Sequence, residues 1–307
     1  MLARAKINLG LEVGRRDRSG LHPVATILAE LTLADELIAE PAPAWRLTVE
    51  RDDSLTGPLS GWPERAEDNL ISRAGRCMIE HFGSEIGCWH VTVLKRIPAG
   101  AGLGGGSSDA AAWIRMMAEH YPNLAERVWK AVETLGKDIG FFRRGGLQWG
   151  SGYGELLEPI MAPDFDPYVI LANPGFPLST SAVYQAFDQI QARRTSSRLW
   201  SIRDAIVRGA MPEALTNDLE PAAFMVAPEL REFAQGLNDL AAQIQGRWWL
   251  TGSGSTYYIL VTDEDRAEWL YGALKGQAAW TAMGRLAQRA VTQSLTTQSP
   301  VAQKERG

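Results

Sequence analysis

The chain has 307 residues, of which 45% are hydrophobic and 22% charged, and its formal net charge is −5. This length allows two domains that each bury a core, so we expect a globular protein of enzyme size. The apolar runs are too short to span a bilayer, and acidic and basic residues are interspersed. These features exclude a membrane-spanning protein and argue against nucleic acid as the main partner.

The first predicted element is a strand over residues 6–13, where polar and apolar residues alternate. The alternation places Lys6 and Asn8 together on the exposed face of this strand. Arg4 and Lys6 also interrupt the apolar residues at the start of the sequence, a pattern unlike that of a secretory signal. Because the two cysteines lack metal-like spacing and suit a reducing compartment, we expect a cytoplasmic protein.

A turn at residues 17–20 and a strand over residues 24–37 are predicted next. Asp68 is predicted to be the N-cap of a helix that ends at Gly83, because the apolar residues between them recur at helical spacing. Residues 89–95 are rich in residue types that favour a strand. A glycine-rich stretch follows this strand.

After the glycines, Ser108 and Asp109 are predicted to cap a helix, and a second helix is predicted to end near Gly136. Further along the chain, strand patterns recur at 168–172, 248–250 and 257–261, and a helix is predicted to begin after Asp263. We place a domain boundary close to Glu158. The predicted organisation is an amino-terminal domain (1–158), a carboxy-terminal domain (159–292) and a polar tail (293–307).

The glycine-rich stretch from Pro98 to Asp109 is the strongest functional signal. Glycines let phosphate oxygens approach backbone N–H groups directly, and the start of the following helix favours an anion. Ser107 and Ser108 add hydroxyls that can bind a phosphate oxygen or a Mg²⁺ ion. A flexible linker is the alternative, but linkers rarely lie between a strand and a capped helix.

Other nucleotide-binding and catalytic motifs fit this stretch less well. Residues 100–105 match G-x-G-x-x-G by pattern alone, but no clear parallel α/β alternation follows, as a dinucleotide-binding fold requires. No Gly-Lys-Ser or Gly-Lys-Thr ends the glycines, which excludes a P-loop. The G-x-S-x-G elbow of serine hydrolases is absent as well.

The stretch resembles the phosphate loop of the GHMP small-molecule kinases, in which Gly-Leu-Gly-Gly follows a proline and precedes serines. Other motifs agree in the same order along almost the whole chain: Ala5-Lys6-Ile7-Asn8-Leu9, Gly20-Leu21-His22, Asp68-Asn69-Leu70-Ile71, Lys95-Arg96-Ile97-Pro98, Leu135-Gly136-Lys137-Asp138, Asn173-Pro174-Gly175, Asn217-Asp218-Leu219-Glu220 and Leu250-Thr251-Gly252-Ser253-Gly254. The resemblance implies a two-domain α+β fold, with an amino-terminal ATP-binding domain and a ferredoxin-like carboxy-terminal domain that closes over a small-molecule acceptor.

The resemblance also implies the roles of individual residues. Asp138 would orient or deprotonate the acceptor hydroxyl, Lys6 would stabilise the transferring phosphoryl group, and Asn8 would position the acceptor. ATP and Mg²⁺ are the implied cofactors, with Ser107 as the candidate Mg²⁺ contact. The implied ATP-binding residues are Asn69 and Lys95 near the adenine, and Pro98, Gly100, Gly102, Leu103, Gly104, Gly105, Gly106, Ser107 and Ser108 around the phosphates.

Within this superfamily the motifs resemble those of the kinases whose acceptor is a cytidine-diphosphate-linked sugar alcohol. The residues implied to bind this acceptor are Asn8, His22, Asp138, Thr180, Tyr184, Gly252, Ser253 and Gly254. Several positions depart from that pattern: Leu21 replaces a tyrosine, Lys137 an alanine, Gly140 a proline and Ser255 an alanine. A GHMP kinase for homoserine or a mevalonate-like alcohol, a non-catalytic nucleotide-binding regulator and a Rossmann-type dehydrogenase remain alternatives. A monomer or a homodimer is expected.

Overall fold

Two β-sheets and the helices that cover them form the molecule, and the computed structural model describes residues 1–55, 66–132, 134–190 and 198–287. The strands are β1 (Leu2–Val13), β2 (Val24–Ala42), β3 (Arg46–Arg51), β4 (Cys88–Lys95), β5 (Leu147–Ser151), β6 (Leu156–Pro159), β7 (Tyr168–Asn173), β8 (Thr216–Asn217), β9 (Trp249–Leu250), β10 (Tyr257–Val261) and β11 (Trp280–Arg285). The helices are α1 (Leu70–Phe82), α2 (Gly105–His120), α3 (Ala125–Val132), α4 (Ile139–Arg144), α5 (Thr180–Phe187), α6 (Arg198–Val207), α7 (Glu220–Val226), α8 (Glu229–Ala241) and α9 (Glu264–Ala273).

The larger sheet has the strand order β3-β4-β2-β1-β8, with β5 and β6 branching from β2. β2 pairs with β1 along most of its length. On its other edge it pairs first with β5 and then with β4. β8, which is distant in sequence, pairs in parallel with β1. The larger sheet therefore receives strands from both predicted domains, and the boundary near Glu158 stays a prediction.

The strand predicted over residues 6–13 is part of β1, but the predicted exposure of its polar face is wrong. Ile7 and Leu9 pack towards the second sheet, while Lys6 and Asn8 share the opposite face and are only 5% and 6% exposed. The reason is the glycine-rich stretch, which lies over this face: the Lys6 backbone N–H donates to the carbonyl oxygen of Leu103 at 2.9 Å.

Helices α1 to α4 cover one face of the larger sheet and share a core with β4, to which Met78, Trp113 and Phe142 contribute. Two predicted caps are wrong. Asn69 rather than Asp68 caps α1, because its Oδ1 accepts from the Ile71 N–H at 2.8 Å. α2 begins four residues before Asp109, with Gly104 in the left-handed region at its N-cap and no side-chain cap.

The second sheet has the strand order β11-β7-β10-β9 and is antiparallel throughout. Helices α5, α7, α8 and α9 pack on one face of it around a second core. Because helices separate β7 from β9 and β10 from β11, this order is the split β-α-β arrangement of ferredoxin-like domains. The predicted α+β fold is confirmed. None of the described helices has the length and apolar character needed to cross a membrane.

Candidate active site

A cavity of about 610 Å³ lies where β1, the glycine-rich stretch, the start of α4 and the turn after β9 meet. It brings together residues that are up to about 250 positions apart in the sequence. The predicted site residues that line it are Lys6, Asn8, His22, Pro98, Gly100, Gly102, Gly104, Gly105, Gly106, Ser107, Asp138, Thr180, Tyr184, Gly252 and Ser253.

Five predicted site residues do not line this cavity. Asn69 caps α1. The Leu103 carbonyl oxygen and the Ser108 hydroxyl bind the backbone of β1, Ser108 by donating to the Arg4 carbonyl oxygen at 2.6 Å. Gly254 belongs to the turn after β9 but is buried against the side chains of Leu250 and Leu178. Lys95 is enclosed below the start of α2. Their predicted ligand contacts stay predictions.

The stretch from Pro98 to Gly104, called the phosphate loop here, is held tightly against the carboxy-terminal half of the chain. The Leu178 N–H donates to the Gly100 carbonyl oxygen at 3.1 Å. Gly102 has φ +78°, and a Cβ added there would lie 2.3 Å from the Thr251 carbonyl oxygen. Only glycine adopts this positive φ without strain and has no Cβ that would collide with this oxygen. Since α2 starts without a side-chain cap, its first N–H groups remain available for an anion.

Lys6 is oriented by a chain of hydrogen bonds. Its Nζ donates to Asn8 Oδ1 at 2.8 Å, Asn8 Nδ2 donates to Thr26 Oγ1 at 2.8 Å, and Thr26 Oγ1 donates to the Gly10 carbonyl oxygen at 2.7 Å. Burial lowers the pKa of Lys6, and the negative charge of Asp138 opposes this change. A buried ammonium held in one direction is suited to an anionic ligand.

Asp138 occupies the N-cap position of α4, but its side chain makes no capping hydrogen bond. The half-buried carboxylate can therefore interact with groups in the cavity. Burial, together with the charge of Asp138, raises the pKa of Tyr184 to about 12. Tyr184 is consequently a neutral phenol at physiological pH, next to a carboxylate and across from a buried ammonium.

His22 and Tyr184 form an aromatic part of the cavity wall, and their ring centroids lie 5.3 Å apart. Both ring nitrogens of His22 have polar partners. Nδ1 contacts the Gly14 carbonyl oxygen at 2.9 Å, and Nε2 contacts Asp188 Oδ1 at 3.2 Å. These contacts leave the face of the imidazole, rather than its nitrogens, to form part of the cavity wall. The arrangement suits a planar group.

The turn after β9 brings Gly252 and Ser253 to the cavity. The hydroxyls of Ser253 and Thr180 are hydrogen-bonded at 2.9 Å. Asn217 fixes this turn, because its Nδ2 donates to the carbonyl oxygens of Leu250 and Gly252, both at 2.8 Å. The turn therefore presents backbone and hydroxyl groups opposite the phosphate loop.

Several residues that shape the site were missed from the sequence. Thr26 positions Asn8, Asn217 fixes the turn after β9, and Thr251 Oγ1 accepts from the Asn8 N–H at 3.1 Å. Asn217 and Thr251 belong to motifs that the resemblance already included, so those motifs were a usable signal. Thr26 is part of an ordinary strand pattern that gives no such signal.

Two of the departures from the family pattern, Leu21 and Lys137, line the cavity. Lys137 lies with Nζ 5.7 Å from the ring centroid of Tyr153, whose hydroxyl donates to Asp17. Leu21 is 41% exposed. Lys137 thus adds an exposed ammonium beside Asp138, whereas Leu21 provides no aromatic face next to His22.

Comparisons with known proteins agree with this geometry. The family model "GHMP kinases N terminal domain" matches residues 69–148, which include the phosphate loop and Asp138. A 4-diphosphocytidyl-2-C-methyl-D-erythritol kinase of Cereibacter sphaeroides is 33% identical, with 89% of this chain and 93% of the relative covered. One from Thermus thermophilus is 34% identical, with 91% and 92% covered.

Solved structures give the same result. A crystal structure of 4-(cytidine 5'-diphospho)-2C-methyl-D-erythritol kinase matches with a TM-score of 0.76 at 32% identity, covering 94% of this chain and 99% of that one. The mevalonate kinase of Leishmania major shares the fold, with a TM-score of 0.65 at 15% identity and 93% and 94% coverage.

The fold and the site thus define a kinase of the GHMP class, a phosphotransferase that uses ATP and has an alcohol group as acceptor. Within this class, the chain belongs to the 4-diphosphocytidyl-2-C-methyl-D-erythritol kinase family. The predicted family and the predicted use of ATP are confirmed. The predicted roles of individual residues remain to be tested.

Proposed function

We propose that this chain transfers the γ-phosphoryl group of ATP to the 2-hydroxyl of 4-diphosphocytidyl-2-C-methyl-D-erythritol, a step of the non-mevalonate isoprenoid pathway. The main support for this proposal is that Lys6, Asp138, the phosphate loop, His22 and Tyr184 all line the same cavity. Phosphoryl transfer needs an anion site, a hydroxyl-orienting group and a planar base site close together, and this cavity supplies residue types for all three.

In this proposal the protein acts through positioning and charge. The phosphate loop and the start of α2 hold the phosphates of ATP through backbone N–H groups. Asp138 accepts the proton of the acceptor hydroxyl, and the Lys6 ammonium stabilises the charge that develops on the transferring group. Asn8, which is hydrogen-bonded to Lys6, orients both the ammonium and the acceptor. No phosphoenzyme is required.

Mg²⁺ is proposed to accompany ATP, with the Ser107 hydroxyl as its contact from the protein. Among the residues that the structure describes, no group of three or more His, Cys, Asp or Glu side chains could hold a metal ion. One hydroxyl contact from the protein fits a Mg²⁺ ion that is bound chiefly by the phosphate oxygens of ATP. When bound, Mg²⁺ neutralises part of the phosphate charge.

The acceptor is proposed to lie along the other side of the cavity. The planar cytosine would lie against His22 and Tyr184, and the diphosphate would contact the turn at Gly252–Ser253–Gly254 with Thr180 beside it. A cytoplasmic location, a monomer or homodimer, and domains at 1–158 and 159–292 belong to the same proposal. The segment 293–307, predicted to be a polar tail, lies outside the described residues.

The direct test measures ATP consumption by the purified protein with Mg²⁺ and each of four additions: 4-diphosphocytidyl-2-C-methyl-D-erythritol, homoserine, mevalonate or no acceptor. Turnover with the cytidyl acceptor alone supports the proposal. Turnover only with another alcohol would keep the fold and replace the acceptor, and ATP binding without any turnover would indicate a regulator.

The role of Asp138 is tested by Asp138→Asn, which keeps the shape of the side chain and removes its charge. We expect kcat to fall by about 100-fold or more, because a positioned general base contributes at least this factor. The affinity for ATP should change little. Asp265→Asn, an exposed aspartate in the first turn of α9, is the matched control. An unaltered kcat in Asp138→Asn would exclude this role.

A further inference from the structure

Three charged side chains are enclosed directly below the phosphate loop. Asp35 of β2 and Lys95 of β4 are 0% exposed, and Asp109 of α2 is 2% exposed. The Lys95 ammonium forms ion pairs with Oδ2 of both aspartates. These residues, called the buried charge cluster, do not line the cavity that holds the candidate catalytic groups.

The cluster contacts the residues before the phosphate loop and the helix after it. Asp35 Oδ1 accepts from the backbone N–H groups of Arg96 and Ile97, at 2.9 Å for Ile97, immediately before the loop begins at Pro98. Asp109 lies four residues after Gly105, where α2 begins at the other end of the loop. Lys95 connects the two aspartates, so one ammonium links the start of the loop to its end.

Lys95 has no surface from which it could contact a nucleotide base. A Cβ placed on Gly105 would lie 3.6 Å from Lys95 Nζ and 2.9 Å from the Ile97 side chain. The ammonium thus lies beneath the backbone of the first residue of α2. A base could reach it only if the loop moved away.

The charges of the cluster predict that it is sensitive to substitution. Burial alone would lower the pKa of Lys95, but the two carboxylates raise it. Asp109 Oδ1 has no hydrogen-bond partner among the described residues, and burial raises the pKa of Asp109. Buried charges of this kind add little net stability, yet removing one of them leaves the others uncompensated. Fixing a local conformation is their best-attested use.

We propose that Asp35, Lys95 and Asp109 are positioning residues that hold the phosphate loop in its binding conformation, and that Lys95 does not contact the adenine. This inference rests on the proposed function, because it assumes that the loop binds the phosphates of ATP. A loop ordered before ATP arrives does not lose conformational entropy on binding, so the cluster determines affinity for the phosphates and not for the base. The adenine contact implied for Lys95 by the family resemblance is thereby replaced.

The test compares affinities for ATP and adenosine in the wild type and in Asp109→Asn, measured by calorimetry or ligand-observed NMR. We expect Asp109→Asn to bind ATP about tenfold or more weakly, a change of about 1.4 kcal/mol, and to bind adenosine as the wild type does. Leu270→Ala is the control for lost stability, because Leu270 is fully buried in the second core and belongs to α9, which contributes no residue to the buried charge cluster or to the phosphate loop. It should leave both affinities unchanged.

Equal losses of ATP and adenosine affinity in Asp109→Asn would overturn the proposal, and so would unchanged ATP affinity. A second measurement needs no variant. In the wild type without nucleotide, amine-reactive labelling followed by mass spectrometry should modify the exposed Lys137 and leave Lys95 unmodified. Rapid labelling of Lys95 that ATP suppresses would identify it as a base contact and contradict the positioning role.

The two proposals can fail separately. Absence of turnover with the cytidyl acceptor would overturn the proposed function, whereas the ratio of ATP to adenosine affinity would still be measurable. Conversely, a protein that phosphorylates this acceptor but loses ATP and adenosine affinity together in Asp109→Asn would keep its function and lose the positioning role.

Discussion

At the scale of single residues, the charge of Lys6 depends on two opposing influences. Burial favours the neutral amine and lowers the pKa, while the carboxylate of Asp138 favours the ammonium. Within the proposed function the ammonium is the active form. Activity should therefore decline on the alkaline side as the pH rises through the lowered pKa of Lys6, below the ordinary lysine value of 10.5.

We expect Asp138→Asn to lower the pKa of Lys6 further, because it removes the charge that opposes burial. Selective ¹³C labelling of the six lysines and an NMR titration would measure this, with the exposed Lys275, two residues after the end of α9, as internal reference. Asp265→Asn should leave the Lys6 titration unchanged. A Lys6 pKa at or above 10.5 in the wild type would contradict this account. So would a Lys6 pKa that is the same in the wild type and in Asp138→Asn.

The same shift has a defined effect on stability. A lysine with a lowered pKa releases its proton at a lower pH in the folded protein than in the unfolded chain. Between the two pKa values the unfolded state binds more protons, so the contribution of Lys6 to the free energy of unfolding rises with pH in this window. Activity and stability therefore change in opposite directions there.

At this scale the sequence predicted residues that belong to a contiguous motif better than residues that act through distant partners. Lys6, Asn8 and Asp138 were predicted from local motifs and line the cavity, and their roles stay predictions. The surroundings of Lys95 could not be predicted, since Asp35 lies 60 positions away in the sequence and the enclosed pairing depends on how β2 and β4 align. From the sequence, a lysine next to a nucleotide-binding loop can equally be a residue that contacts the nucleotide or a buried structural residue.

At the scale of elements, the phosphate loop depends on glycine where backbone conformation and close approach coincide. We expect Gly102→Ala to lower the free energy of unfolding by on the order of 1–3 kcal/mol, because φ is +78° there and the new Cβ would meet the Thr251 carbonyl oxygen. ATP affinity should fall as well, since the loop would move. Urea unfolding and calorimetry would measure the two effects.

The matched control is Gly236→Ala in the middle of α8, where an added Cβ meets no atom within 4 Å. The free energy of unfolding of this variant should rise by roughly 1 kcal/mol, because alanine has a higher helix propensity than glycine. If Gly102→Ala were as stable as the wild type, the close approach of the loop to the turn after β9 would not exist in solution.

α1, β4 and β10 were predicted with the correct type from periodicity and turn residues, whereas the ferredoxin-like arrangement was implied only by the family resemblance. β3, α4 and β11 were not predicted, and the ends of the predicted elements contain further errors. The start of α2 was predicted too late, because Ser108 and Asp109 are good capping residues in general. In the folded chain Ser108 bonds the backbone of β1 and Asp109 bonds Lys95, so tertiary partners occupy both side chains.

At the scale of the whole molecule, the site depends on how the two sheets pack against each other, and Asn8 of β1 makes two specific hydrogen bonds across this packing. The Asn8 N–H donates to Thr251 Oγ1, and the Asn8 carbonyl oxygen accepts from the Tyr258 hydroxyl at 2.8 Å. These contacts join positions 243 and 250 residues apart, which no local pattern can predict. They place Lys6 and Asn8 against the turn that carries Gly252 and Ser253.

Tyr258→Phe tests this junction. It removes one buried hydrogen bond between the sheets and leaves the ring in place, so we expect the free energy of unfolding to fall by about 1 kcal/mol. Because the bond fixes the backbone that carries Asn8, kcat should fall more than the affinity for ATP. Urea unfolding and steady-state kinetics would measure both effects.

Tyr271→Phe is the matched control for this prediction, because Tyr271 lies in α9, packs against the second core and is not part of the junction. Removing the hydroxyl of Tyr271 should leave the free energy of unfolding and kcat close to the wild-type values. If Tyr258→Phe behaved like Tyr271→Phe, the Tyr258–Asn8 hydrogen bond would not couple the sheets. The alignment of Lys6 with the turn would then depend on the other contacts, among them the Asn8–Thr251 hydrogen bond.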